Sequence, residues 1–307
     1  MAIEERDHFE FTLKCYNSSG LRQTSTSRRR FISVYILYPL LLAMYSLMIF
    51  NIRYQNNVFE ISEVFESVSS FGHLVARKTI LLVHAPLFEE IIQDRSCFWN
   101  YDLFGKSIGK KFRNQTGLCV SLIKFMWIGG VMSVASRCYA LHFVEGYLLP
   151  DTCYIPGNSI YSVVILFALE LIFYTEAIFM VGVFDAFFLL MCVDLKIQFT
   201  LLNKALRTMK FGGIVNKKQE EIRWNQLKKC FEHHGVYKKL NKAFSEFFVC
   251  TYFFAIGGMC IQFFIALDGI VFRPASADYL IKIMLYIAIV SVLIILVVIP
   301  VGEIEIE

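Results

Sequence analysis

The chain has 307 residues, of which 56% are hydrophobic, 16% aromatic and only 18% charged, with a formal net charge of +4. A soluble domain with one core cannot hide that much apolar surface, so the composition requires lipid. A charge this small, without interleaved basic and aromatic residues, excludes a nucleic-acid partner. Residues 1–30 are polar and end on Arg28-Arg29-Arg30, which abuts an apolar stretch at 31–50. That pattern anchors a chain and differs from a cleaved leader. Crossing about 30 Å of hydrocarbon takes roughly 20 helical residues. Six stretches meet that length: 31–50, 59–84, 117–143, 161–193, 247–272 and 279–300. The second is the weakest because Glu63, Glu66, His73, Arg77 and Lys78 lie within it, and the third is interrupted by Lys124 and Arg137.

Charge orients these spans. Lys and Arg number six in 1–30, five in 85–116 and twelve in 194–246, against one in 51–58, none in 144–158 and one in 273–278. Loops rich in Lys and Arg stay in the cytoplasm, so the N-terminus is expected inside. The inverse orientation of heptahelical G-protein-coupled receptors is thereby disfavoured. The sequons at Asn17 and Asn114 fall on the cytoplasmic side, where they would not be glycosylated. Of nine cysteines, Cys153 and Cys138 are the two this topology brings towards an oxidising face.

The fourth stretch is too long for a bilayer: 161–193 would extend about 50 Å as a helix, so its lower part is expected to continue into the cytoplasm. Leu195, Phe199, Leu202, Leu206 and Met209 recur at helical spacing beyond it. After Gly212-Gly213 a second amphipathic helix reads Leu227, Cys230, Phe231, His234, Tyr237, Leu240 and Phe244, and runs into the fifth span. No repeat or linker divides the chain, so 1–307 reads as a single transmembrane domain.

The run from Asp185 to Leu206, with Gln198, Phe199 and Leu202, resembles the end of the fourth helix in insect odorant receptors. Leu227, Cys230 and His234, followed by Leu240, Phe244 and the apolar run 247–267, are similar to that family's approach to helix five. With the inverted topology and acidic second span, the resemblance covers roughly residues 30–303. It implies an all-α polytopic transmembrane helical bundle with a cytoplasmic N-terminus and helices four to six reaching into a cytoplasmic layer. The function implied is that of an odorant-tuning subunit that binds small volatile odorants. With a shared olfactory co-receptor it would form a ligand-gated, non-selective cation channel in the plasma membrane of sensory neuron dendrites, and no cofactor is implied. In the family a seventh helix follows and lines the pore. Gly302-Glu303 resemble the turn into it, but this sequence stops at Glu307. The expectation is a truncated product, an incomplete gene model or a shortened receptor, with autonomous conduction in doubt.

An odorant pocket should be apolar and aromatic with few polar groups. The family's register brings in Phe65 and Ser69 from span two, Met132, Ser136 and Tyr139 from span three, Phe167, Phe173 and Tyr174 from span four, and Ile283 and Tyr286 from span six. The bland alternative for each is interhelical or lipid-facing packing. Arg137, Glu170 and Glu176 fall at similar depth in the outer half, where an ion pair would lower the cost of burial. His233-His234 lacks a second ligand pair, so no metal is expected. His-Glu-x-x-His, Gly-x-Ser-x-Gly and phosphate-binding glycine loops are absent, which argues against an enzyme. A small-solute transporter and a gustatory receptor of the same superfamily are the competing readings; a transporter would show inverted repeats, of which Gly129-Gly130 and Gly257-Gly258 are a faint counterpart.

Overall fold

The computed structural model describes residues 8–56, 58–139, 149, 151–208 and 220–222, with further positions between 224 and 291. The described residues contain no strand and are arranged around one long central helix. Helix α1, Glu10–Ser18, ends in a tight turn at Gly20, whose φ is +72°. A Cβ at Gly20 would stand 2.6 Å from the Arg29 carbonyl oxygen, so only glycine lets the chain double back this closely.

Helix α2, Ser27–Tyr54, is the first span. Its π-helical turn at Ile32–Leu37 lies just before Pro39, where the missing N–H and the bulk of the ring disfavour a regular α ladder. Leu41, Met44 and Met48 recur at steps of three and four and are buried, while Phe31, Tyr35, Ile36, Ile49 and Phe50 are exposed. The helix therefore turns one apolar face to the bundle and another to lipid. Helix α3, Val58–Val83, is followed by α4, Ala85–Asp94, which starts at Pro86. Two short 3-10 turns, Arg95–Cys97 and Tyr101–Phe104, then lead to α5, Lys106–Tyr139.

Helix α6, Ile160–Thr208, runs unbroken for 49 residues, about 74 Å at 1.5 Å per residue. Ser159 caps its start by accepting from the Tyr161 amide at 3.2 Å. The most apolar window of α6 is 78% buried, against 22% for α2 and 17% for α5, which makes α6 the core element and the other two lipid-facing. Just past its midpoint, over residues 186–193, it is apolar all round: Phe187, Phe188, Leu190 and Met191 are all buried. A π-helical turn at Val181–Asp185 interrupts the α ladder. There α1 comes so close that a Cβ on Gly182 would lie 3.1 Å from Cys15 Sγ and 3.5 Å from Trp127 of α5.

The expected cytoplasmic continuation of the fourth span is thus one helix with the span itself. The described positions between 220 and 238 are helical; Cys230 is buried, and His234 meets Phe199 edge-on at 6.2 Å, which brings this segment back onto α6. Phe231, expected on the same apolar stripe, is exposed instead. Among the described residues three helices are long and apolar enough to cross a membrane: Ser27–Tyr54, Lys106–Met132 and Ile160–Thr208. The fifth and sixth expected spans lie outside the described residues, apart from scattered positions.

Candidate ligand site

Near the starts of α3 and α6 the connector over residues 151–159 folds back into the bundle. Asp151 is its anchor. Ser67 Oγ donates to one carboxylate oxygen at 3.0 Å, and the Tyr174 hydroxyl donates to the other. The Asp151 amide donates to Glu170 Oε2 at 3.1 Å, and the Thr152 amide donates to Ser67 Oγ at 3.2 Å. Ser67, Asp151 and Glu170 are all buried, so these bonds offset a desolvation cost that an unbonded carboxylate could not sustain. Aromatic rings lie beneath: Phe71 packs edge-on against Phe173 at 6.4 Å and tilted against Tyr174 at 6.0 Å. Tyr154 stacks on Tyr54 at 5.0 Å and meets Phe50 at 5.2 Å, which ties the connector to α2. A polar end set on an aromatic floor suits a small molecule with an apolar body and one hydrogen-bonding group.

Cys153 reports on this enclosure. It is a buried free thiol, and burial first, then the Glu170 and Asp151 carboxylates, push it up to about 12. Maleimide at pH 7.5 is expected to label Cys153 at least about 100-fold more slowly than the exposed Cys97, because the thiolate is the reactive form. Mass-spectrometric rates for single-cysteine variants check this, and equal rates would show that the connector stands open in solution.

The residues expected at a pocket divide into three groups. Ser69, Phe173 and Tyr174 are buried at the α3–α6 contact, and Phe167 is half-buried against the same core. Phe65 is 37% exposed and Met132 66% exposed, so Met132 stands on the outward face of α5, apart from the rings of Phe71 and Phe173. The side chains of Ser136 and Tyr139 lie outside what is described, as do Ile283 and Tyr286 altogether.

Two acids of α6 pair with cations of α3. Glu176 accepts from Lys78 Nζ at 2.6 and 2.9 Å, and Arg77 Nη2 lies 2.8 Å from Asp185 Oδ1. Glu170 accepts from the Asp151 backbone amide, and the side chain of Arg137, the cation expected to pair at this depth, lies outside the described residues. The charges that weaken span two as a membrane helix are therefore the ones that join α3 to α6. A buried cation keeps its charge most cheaply beside a buried anion.

A second polar centre sits on the lower half of α6. Asp194 accepts from the Tyr101 hydroxyl, and His8 Nε2 and Arg95 Nη2 lie 3.3 and 3.5 Å from its carboxylate. The Arg95 guanidinium lies 3.4 Å from the centroid of the Phe9 ring, which also packs edge-on against Phe187. One turn on, Gln198 holds the Trp99 backbone by both its groups: Oε1 accepts from the amide at 2.8 Å and Nε2 donates to the carbonyl at 3.0 Å. Sequence reasoning singled out Gln198 only as part of a pattern, and Asp151 not at all; an acid in a loop that has no Lys or Arg was the available signal for the latter. Among the described residues no three His, Cys, Asp or Glu side chains converge as a metal site.

With this geometry in place, the comparison with solved structures is decisive for the fold. The chain superposes on the insect olfactory receptor OR5 from Machilis hrabei with a TM-score of 0.72, over 97% of this chain and 79% of that one, at 11% sequence identity. The fold is that of an insect olfactory receptor. No protein-family model and no curated protein matches the sequence. At such low identity the olfactory-receptor likeness lies in the course of the helices, and the side chains of the site belong to this chain. The long α6 and the folded-in connector are thus parts of a bundle with the olfactory-receptor fold.

Proposed function

We propose that this chain is an odorant-tuning receptor subunit of the plasma membrane of sensory neuron dendrites. Small volatile ligands bind in the outer half of the bundle, and with an olfactory co-receptor the chain forms a ligand-gated, non-selective cation channel. The observation that carries this reading is the fold, which follows an insect olfactory receptor over 97% of the chain. The enclosed polar and aromatic contact of Ser67, Asp151, Phe71, Phe173 and Tyr174 supports it, because it has the chemistry a small amphiphile requires. In this proposal the bundle has six spans with its N-terminus inside, and Ser69, Phe167, Phe173 and Tyr174 are joined at the ligand by Phe65, Ser136, Tyr139, Ile283 and Tyr286.

The test is inward current in cells expressing the chain with an insect olfactory co-receptor, screened against volatiles, with co-receptor alone as control and surface expression verified. Current that depends on this chain is the expected result. Tyr174→Phe, which removes one donor to Asp151, is then expected to shift the half-maximal concentration of a responding odorant about tenfold. Silence despite surface expression, or vesicle uptake of a radiolabelled solute without current, would overturn the reading.

A further inference from the structure

Near its start α5 carries a groove of about 450 Å³, lined by Ser107, Lys110, Lys111, Asn114, Gln115 and Leu118. Lys110 and Lys111 are exposed, and among the described residues no carboxylate pairs with either. Arg113, by contrast, is engaged by Asp102 at 2.9 and 3.1 Å. Those hydrogen bonds first, then the charges of Arg113 and Lys106, hold the Asp102 carboxyl below its usual range, so that acid remains committed to its own partner. The two lysines are left as an open positive site with hydroxyl and amide donors around it.

The same face changes character further along. Leu118 and Phe125 follow Lys111 at intervals of seven residues, two helical turns each, and both are 73% exposed; Ile128 is 57% exposed. From Lys111 to Leu118 is about 10 Å along the axis, which the interfacial layer and the reach of a lysine side chain span together. From Leu118 to Ile128 is about 15 Å, the depth of one hydrocarbon leaflet. Paired lysines, then neutral donors, then exposed Leu118, Phe125 and Ile128 over the depth of one leaflet follow the polarity profile of a phospholipid, with exposed Lys124 the one charge among them. The lysine-rich end belongs to the leaflet that carries negative lipid, by the charge rule that orients the spans.

We propose that this face of α5 seats an anionic phospholipid, its phosphate between Lys110 and Lys111 and an acyl chain along Leu118, Phe125 and Ile128. The site needs only that α5 crosses a bilayer and does not rest on the odorant reading. An acidic protein segment would satisfy the lysines but leave the ladder to lipid, whereas one lipid molecule covers both.

The purified full chain, in detergent, is titrated with phosphatidylserine or phosphatidylcholine and the bound lipid counted by native mass spectrometry. Each lysine beside an anionic headgroup contributes about fivefold in affinity. Retention of phosphatidylserine over phosphatidylcholine is therefore expected, reduced about 20-fold in K110Q/K111Q and preserved in K110R/K111R. It is also expected to be preserved in R28Q/R29Q/R30Q, which removes a different exposed basic run. Equal retention of both lipids, or no loss in K110Q/K111Q, overturns the assignment. So does a site filled by inorganic phosphate without lipid, or a dimer that dissociates in K110Q/K111Q with lipid unchanged, which would give this face to a second copy of the chain.

Discussion

Arg77→Met is expected to lower the melting temperature of the detergent-solubilised chain by about 10 °C, and Lys78→Met by a similar amount. Each change removes the cation beside a carboxylate, buried Asp185 in the first case and half-buried Glu176 in the second, and breaking a buried pair costs about 3–5 kcal/mol. Arg77 also lies 6.0 Å from the centroid of the Phe184 ring, so its removal loses packing as well as charge. The decisive control removes both partners. Arg77→Met combined with Asp185→Leu no longer has to desolvate an ion, and most of the lost stability is expected to return. Fluorescence-detected thermal unfolding of the single and double variants makes the comparison; a double variant no better than Arg77→Met would show that the pair is incidental to stability.

Asp194→Ala is expected to cost about 2–4 kcal/mol and to loosen the N-terminal segment selectively. Three groups from separate parts of the chain converge on this carboxylate: His8 before α1, Arg95 after α4, and Tyr101 in the turn before α5. Without it, Arg95 and Tyr101 lose an acceptor in a buried setting, and Phe9 loses the cation fixed over its ring. Limited trypsin digestion reads this directly, since Lys14 and Arg22 sit on the segment that would be released. Faster cleavage there, with the rest of the chain resistant, is the expected pattern. Unchanged cleavage would mean that the segment is held without Asp194, by the packing of Phe9 and Cys15 and by the Arg22–Glu89 ion pair at 3.1 Å.

The long central helix was legible in the sequence because its signal is local: an apolar run too long for a bilayer, followed by Leu195, Phe199, Leu202 and Leu206 at helical spacing. Partner choice was not. Arg77 and Lys78 read as defects in span two, since hydropathy registers the cost of a charge but not the anion that offsets it about 100 residues away. Equal depth grouped Arg137 with Glu170 and Glu176, but depth leaves the rotation of each helix undetermined; Lys78 is the cation that α3 turns towards Glu176, and the Arg137 side chain lies outside the described residues. Rotation also explains Met132, whose residue type suits a pocket and whose face of α5 points outward. Phe173 and Tyr174 are buried while the adjoining Leu171 and Ile172 are exposed, so here too the rotation of the helix decides, and residue type alone does not. The π-helical turn at Val181–Asp185 has no sequence signature of its own; Gly182 marks it only in retrospect, through the closeness of Cys15.

That turn and the two ion pairs flank the middle of α6, where Glu176 and Asp185 are fastened to α3. About 32 Å of helix stand above Val181 and about 35 Å extend below Asp185. The same rod is tied above this point through Asp151 to Glu170 and Tyr174, and below it through Asp194 and Gln198 to Arg95, Tyr101 and Trp99. It is pinned at three levels, so a load applied at one of them is shared among three sets of contacts and is not passed undiminished to the far end.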